Sequence, residues 1–541
     1  TWPARSGART ARSFVKALLA FLVFVFTVGF ALPSASAAPT SAPVVVTIDT
    51  FTPVNAQPGK TLRISGRVVN TGNEPISTLR IRMRLSPTPL TNRNDIGQLS
   101  RGDVGPTDDG PDTAVFDWFA TDVTDELAPD AELPFRLNVE LNSLPLISPG
   151  VYVIGVEALG LAPNDSYAQR QGLTRTFLPW FPNTAMQANT AHESGLIART
   201  GLVWLWPLSD WPARDENGVL LNDRTPNELS ANGRLTALLA SASNFPTSVS
   251  WVLDSELIQT VDDMSDGYQV ASANGPVPGD RAEDARRWFS NLQQATAPIT
   301  SNRRSEPIDQ ALFSLPYANI DASAVRRAGM DRDLVRAVTM SPNLTGELLD
   351  RRMQQNVYWA PSGVMDQLTA DALATGGVNA FVLADTALPP AEHISYTPSG
   401  LTKLNTTSGD TKAILRDSGL SAALMMPAHT VSERVLARQR FLAELGVATT
   451  ELPEVGRTLV AGPNNVLWDI DPTLATELLD AVSRASFLTA TPLADLLATG
   501  VKDSTANPPR ERVRYASTNR NAELTDSYMA RVKDAQQQLS E

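Results

Sequence analysis

The apolar residues of this chain change their period once, and that change bounds the fold. From Val44 to about Gly160 they alternate with polar ones, as in "VVVTIDTF", "GKTLRISGRVVNTG", "STLRIRMRLS", "ELPFRLNVELN" and "GVYVIGVEALG". Successive side chains of a strand point to opposite faces. Leu62, Ile64, Gly66 and Val68 therefore line one face, and Arg63, Ser65 and Arg67 the other. Turn signals at Pro58-Gly59, Asn70-Thr71-Gly72-Asn73 and Pro149-Gly150 separate the runs, and no amphipathic helix intervenes. The expectation is an antiparallel β-sandwich over residues 42–175.

Beyond a proline- and aromatic-rich connector, "TFLPWFPNTA", within a linker at 176–194, the texture becomes continuous apolar runs followed by helical stretches. The runs are "GLVWLWPLSD", "SVSWVLD", "ALFSLPYAN", "NVYWAP", "VNAFVLAD" and "LSAALMMP", with "RTLVAG" and "SFLTATPLADLL" as weaker candidates. Between them "GRLTALLASA", "SELIQTVDDM", "RAEDARRWFSNLQQA", "DASAVRRAG", "VMDQLTADALATGG" and "SERVLARQRFLAELG" have helical spacing. Such alternation predicts a parallel sheet buried on both faces. A multidomain chain follows: an immunoglobulin-like β-sandwich, then an α/β domain over 195–500 built as a (β/α) barrel, complete or incomplete, then a helical tail over 501–541. A doubly wound open sheet is the alternative, disfavoured because no glycine-rich phosphate loop follows any run.

Composition removes several functions. The chain has 541 residues and a formal charge of −13, which repels phosphate backbones and argues against a nucleic-acid partner. It has no cysteine, so disulfides and thiolate metal sites are excluded. No lysine lies between Lys60 and Lys403, which removes a Schiff-base or phosphate-loop lysine from the middle of the chain. His192, His393 and His429 have no metal-ligand spacing, so no metal and no cofactor is expected.

The first 37 residues read as an export signal: Arg5, Arg9, Arg12 and Lys16, the uncharged run from Ala17 to Leu32, then Ala35-Ser36-Ala37 as a small-residue cleavage site. An uncleaved anchor helix is the alternative. Both place the bulk of the chain outside the cytoplasm, secreted or held at the outer face of the plasma membrane. The chain opens on Thr1 rather than methionine, so a fragment is expected.

Barrel proteins place functional groups at the C-terminal ends of their strands. The runs here end at Asp210, Asp254, Asn319 with Asp321, and Asp385, beside Trp206, Trp251, Tyr317 and Trp359. Aromatic faces next to carboxylates suit a carbohydrate cleft, and two carboxylates across a sugar suffice for glycoside hydrolysis. Asp254 and Asp385 are the catalytic candidates. Asp210, Trp206, Trp251, Tyr317, Asn319, Asp321 and Trp359 are the ligand-binding ones. Asp254 and Asp321 each precede a helical stretch and can equally be N-caps. Asp385 precedes "TALPP", where no helix follows at once.

The segments "TGLVWLWPLSDWP", "SWVLDSELIQTV", "DGYQV", "LPYANIDASAVRRAG", "RQRFLAELG" and "TATPLADLL" resemble a family of uncharacterised exported actinobacterial proteins. Its genes lie beside that of the MurJ/MviN-type lipid II flippase. The resemblance runs from the signal to about residue 500 and implies a place at the cell envelope. It further implies a lipid II flippase and an envelope glycan or peptidoglycan precursor as partners. Members continue to a C-terminal membrane helix, whereas this chain stops at Glu541, which points to a truncated anchor. The α/β half is similar at a distance to polysaccharide deacetylase and family-57-type glycoside hydrolase barrels, although the deacetylase histidine pair is missing. The expectation is a non-catalytic glycan- or partner-binding scaffold near peptidoglycan precursor export. The alternative is a carboxylate-dependent glycoside hydrolase acting on an envelope glycan.

Overall fold

A computed structural model describes residues 42–187, 195–299 and 310–540. The expected signal at 1–37 and positions 188–194 of the expected linker lie outside the described residues.

The alternating segment forms β1 (Val44–Thr52), β2 (Thr61–Asn70), β3 (Ile76–Leu85), helix α1 (Arg93–Arg101), β4 (Ala114–Leu127), β5 (Glu132–Glu140), β6 (Gly150–Leu161) and β7 (Gln169–Trp180). These strands make two antiparallel sheets, β1-β2-β5 and β4-β3-β6-β7. Ile48, Leu62 and Ile64 of one sheet share a buried apolar cluster with Ile81, Ile154 and Val156 of the other. On β2 their partners in the alternation face outward, as period two requires, whereas β6 is buried on both faces, with Val151 and Val153 in the core of the second half.

Two expectations are corrected here. The stretch 176–185 is largely not a connector, because β7 runs to Trp180. Phe177 and Phe181 are buried in the core of the second half, while Leu178 and Trp180 are buried between the sheets. A strand buried on both sides loses its alternation and imitates a linker. A helix also interrupts the β-rich region. Asn92 accepts a hydrogen bond from the Asn94 amide at 2.8 Å to start α1, and Gly102 ends it at φ 76°. Only Ile96 and Gly97 of α1 are buried, so its apolar period is too sparse to read.

The second half alternates strands and helices: β8 (Thr200–Leu208), α2 (Arg234–Ser243), β9 (Val249–Asp254), α3 (Ser255–Ser265), α4 (Ala282–Ala295), β10 (Leu312–Leu315), α5 (Ala322–Arg327), α6 (Asp331–Leu349), β11 (Met353–Trp359) and α7 (Gln367–Thr375). It continues with β12 (Ala380–Ala384), β13 (Leu401–Thr406), β14 (Gly409–Arg416), α8 (Ser418–Leu424), α9 (Val431–Glu451), β15 (Thr458–Ala461), α10 (Pro472–Arg484), β16 (Leu488–Ala490), α11 (Leu493–Ala498) and α12 (Asp526–Ser540). The nine-stranded sheet has the order β13-β14-β12-β11-β10-β9-β8-β15, with β16 also paired to β8. Every pairing is parallel except that of β13 with β14. Backbone hydrogen bonds from Asp417 to Val460 (2.9 Å) and from Gly400 to Thr458 (2.8 Å) bring the β14 end of this order against β15.

The run "LSAALMMP" is a helix, not the expected strand. The Asp417 carboxylate accepts from the Leu420 amide at 2.8 Å and so starts α8 there. The strand is instead β14, whose opening "GDTK" is too polar to read as a buried run.

The two halves are packed, not merely tethered. α9 lies between them and is buried along most of its length, so it lacks the one-sided apolar stripe of a surface helix. Its Ser432 Oγ accepts from the Ile48 amide at 3.0 Å, and Gln439 Nε2 donates to the Phe177 carbonyl at 2.8 Å. At Gly446 an added Cβ would sit 2.5 Å from Val151 Cγ2, so only glycine allows this approach. Overpacking there would cost about 1–3 kcal/mol. The tail is docked as well: Met529 of α12 is buried, and Arg327 Nε pairs with Glu523 at 2.7 Å.

Candidate functional site

The C-terminal strand ends carry the predicted carboxylates, and the protein's own groups engage each of them. Asp254 ends β9 with 0% exposure. One carboxylate oxygen accepts from the Glu256 amide at 3.1 Å, capping α3, and the other accepts from Ser209 Oγ at 2.7 Å. Burial, against the pull of the Ser209 bond and with the help of Glu256 and Asp210, pushes this carboxyl up to about 7. Asp210, also buried, accepts from Thr225 Oγ1 at 2.8 Å and meets Arg224 and Arg234 at 3.3 Å each. Asp321 caps α5 through the Ala324 amide at 3.1 Å and accepts from the Leu524 amide at 3.0 Å. Asp385 accepts from the amide of Ser418 at 3.1 Å and from its hydroxyl. Burial and the neighbouring Asp417 raise its carboxyl.

The aromatic candidates divide by face. Trp206 donates from Nε1 to the Leu238 carbonyl at 3.1 Å and meets Trp468 edge-on at 4.8 Å. Trp251 is 1% exposed in the same apolar cluster, which includes the helix residues Leu238 and Phe441. Neither lines an open cleft, which corrects the expectation for both. In a sheet covered on both sides the two faces of a strand are equally apolar, so their direction was not readable. Trp359 belongs to the other cluster, with Leu205, Val252 and Phe313. It is buried too, and the Arg416 guanidinium lies 5.6 Å from its ring. Burial lowers Arg416 to about 10. Tyr317 is half-buried, donating to Gln259 Oε1 at 2.9 Å and accepting from Arg214 at 3.2 Å. Asn319 has φ 44° and a buried Oδ1 without a hydrogen-bond partner.

The chain thus forms two separate groups. Asp254, Asp210 and Tyr317 interact electrostatically around β8, β9 and the turn after β10. Asp385 joins a second group that sequence reasoning missed. There Arg93, from α1 of the β-rich half, donates to both oxygens of Asp417 (2.6 and 2.5 Å), to Glu444 Oε2 (2.8 Å) and to Thr397 Oγ1 (3.1 Å). This is a bidentate charge-assisted pair. Burial disfavours all these charges, but Asp417 and Glu444 together raise Arg93 well above the usual arginine range. Arg93 in turn holds Asp417 below the usual carboxylate range despite its burial. An added Cβ at Gly419 would lie 2.4 Å from Arg93 Nη2, so the glycine admits the guanidinium. The charges of "RQRFLAELG", Arg438, Arg440 and Glu444, were the one readable signal, because they sit within an otherwise apolar helix.

Two openings flank this pair. A cavity of about 220 Å³ is lined by Asp385, Asp417, Thr397, Leu459 and Arg510. A polar groove of about 890 Å³ runs between α1, the 393–397 loop, the start of α8 and the Arg440–Glu451 side of α9. Among the described residues no group of three or more His, Cys, Asp or Glu could hold a metal ion, and no helix is long and apolar enough to cross a membrane.

The sequence profile of a family of unknown function (DUF6049) matches residues 9–541. No curated protein matches. Among solved structures, a 4-alpha-glucanotransferase from Thermococcus litoralis aligns at 11% identity and a TM-score of 0.36, covering 56% of this chain. This chain spans 40% of that enzyme's length. The CARDB domain of PF1109 from Pyrococcus furiosus aligns at 11% identity and a TM-score of 0.16, covering 26% of this chain and 94% of its own. A Bacteroides uniformis beta-glucuronidase 2 variant aligns at 10% identity and a TM-score of 0.19, covering 78% of this chain and 46% of its own.

Proposed function

We propose that this chain, which belongs to the family of unknown function DUF6049, is a non-catalytic scaffold of the cell envelope that binds a glycan or a protein partner near peptidoglycan precursor export. In the finer reading of the fold that goes with this, the antiparallel sheets are an immunoglobulin-like sandwich. The strands from β14 to β15 are a (β/α) barrel, closed where Asp417 and Gly400 bond to β15. The observation that carries the proposal is the place of Arg93. A barrel does its chemistry at the C-terminal ends of its strands. Here the sandwich inserts a guanidinium onto Asp417 at that end and holds it there bidentately. The predicted carboxylates are likewise spent on helix starts and hydroxyls. An exported protein would present the remaining polar groove to the envelope.

The rival reading, a carboxylate-dependent glycoside hydrolase, is favoured by one feature, the Asp254 carboxyl raised to about 7, which suits a general acid. Its complete burial counts against it. The test is purification of the protein from envelope membranes, with the flippase, peptidoglycan precursors and glycan turnover all assayed. The scaffold reading expects co-purification without turnover. Turnover that Asp254→Asn or Asp385→Asn lowers by orders of magnitude would replace it with the hydrolase.

A further inference from the structure

We infer that the groove between α1 and α9 binds a saccharide bearing an oxyanion, a carboxylate or phosphate, with the Arg440 guanidinium as its anchor. Arg440 is 9% exposed and lines the groove. Its Nε has no hydrogen-bond partner. The paired carboxylate, Glu444, lies 3.8 Å away, and Arg93 already claims that carboxylate at 2.8 Å. That Nε is itself closed to solvent, so a ligand in the groove would meet the rest of the guanidinium, whose paired carboxylate is shared with Arg93. Burial, only partly offset by Glu444, lowers Arg440 below the usual arginine value, and the neighbouring Arg101 lowers it further. The groove lining holds three guanidinium groups, Arg93, Arg101 and Arg440, and two carboxylates, Glu444 engaged by Arg93 at 2.8 Å and Glu451 accepting from the Thr397 amide at 2.6 Å.

The rest of the groove suits the neutral part of a sugar. Exposed Asn92, Asn94 and Gln98 offer amides on one side, and His393 with the half-buried Tyr396 ring faces the groove from the 393–397 loop. Its volume of about 890 Å³ lies within the ~300–1,000 Å³ usual for ligand clefts. A guanidinium fork takes a carboxylate or phosphate through two parallel N–H···O bonds, which fixes orientation as well as charge. The net charge of −13 argues against a long phosphate backbone such as nucleic acid as the occupant.

This inference rests on the glycan-binding reading and adds to it the place and the ligand class. Calorimetric titration of the full chain with trigalacturonate, its methyl ester and inorganic phosphate tests it. The acid is expected to bind at least tenfold more tightly than the ester. Arg440→Gln should erase that difference and Arg440→Lys should keep part of it. Gln98→Trp, an exposed substitution at the groove wall, should weaken both saccharides, and it carries the test if Arg440→Gln does not fold. Equal binding of acid and ester, unchanged in Arg440→Gln, would overturn the oxyanion anchor and leave glycan binding standing. Phosphate bound as tightly as trigalacturonate and lost in Arg440→Gln would overturn the saccharide. Failure of every probe would overturn the inference as a whole, while the scaffold reading stands or falls separately on the envelope co-purification.

Discussion

Asp254 and Asp417 occupy equivalent places, each at the C-terminal end of a buried parallel strand and each starting the helix that follows. Their electrostatics are opposite. Asp254 meets a hydroxyl and an amide, and burial wins, raising it to about 7. Asp417 meets the Arg93 guanidinium, which holds it below the ordinary range at similar burial. At Asp254 a cap and a hydroxyl do not compensate for burial, whereas at Asp417 the bidentate guanidinium does; Glu444, which shares that guanidinium through one bond, is still raised by burial. The β-rich half is therefore part of the electrostatics at the C-terminal strand ends of the sheet.

Removing that cation should produce the largest effect. Arg93→Ala would leave Asp417 and Glu444 buried without their partner, and breaking a buried pair costs about 3–5 kcal/mol. Denaturant unfolding at pH 7 should register a loss of that size. A loss below about 1 kcal/mol, the scale of a surface ion pair, would mean that water compensates the two carboxylates and that the contrast with Asp254 is false.

The pH dependence of stability sharpens the comparison, because the two groups slope in opposite directions. Asp254 is raised from 3.8 to about 7, so the folded state binds more protons between those values. Its contribution is full below pH 3.8 and is lost as pH rises to about 7, a change of up to roughly 4 kcal/mol at 1.36 kcal/mol per unit. Asp417 is lowered, so its contribution is present above 3.8 and is lost as pH falls through the folded value. Asp254→Asn removes the charge, keeps one acceptor oxygen for the Glu256 amide, and places an Nδ2 that can donate to Ser209 Oγ where Oδ2 accepts. It should flatten the slope between pH 4 and 7 and match or exceed the parent's stability at pH 8. An unchanged slope in that variant would show that Asp254 is not a titrating group of this window.

The sequence made some of this legible and hid the rest for identifiable reasons. Asp254 and Asp385 could be found because each closes an unbroken apolar run, "SWVL" or "AFVLA", that reads as a buried strand. Asp417 could not, because its strand opens with Asp410 and Lys412. The alternation of Leu62, Ile64 and Val68 gave the β-rich half directly, since only one face of β2 is buried there. Trp206 and Trp251 lay in strands covered on both faces, where no pattern tells inside from outside. The pairing of Arg93 with Asp417 joins residues 324 positions apart, which no local period records.

The smallest test concerns the hydroxyl that stands where Arg93 would on the other strand end. Ser209 Oγ donates to Asp254 at 2.7 Å and favours its charged form. Ser209→Ala removes that donor, so the Asp254 carboxyl should rise further above 7, and the pH range over which stability is lost should extend upward. At pH 5 most Asp254 groups are protonated in either protein, so the two should differ little. At pH 8 the variant should be the less stable by about 1.5–3 kcal/mol, the scale of one hydrogen bond to a charged group. Thermal melts of both proteins at pH 5 and pH 8 separate this from a packing effect, which would lower stability equally at the two pH values. An equal loss at both would make Ser209 a filler of space, and of Asp254 and Asp417 only the second would then have its charge compensated by a side chain, the Arg93 guanidinium from the β-rich half.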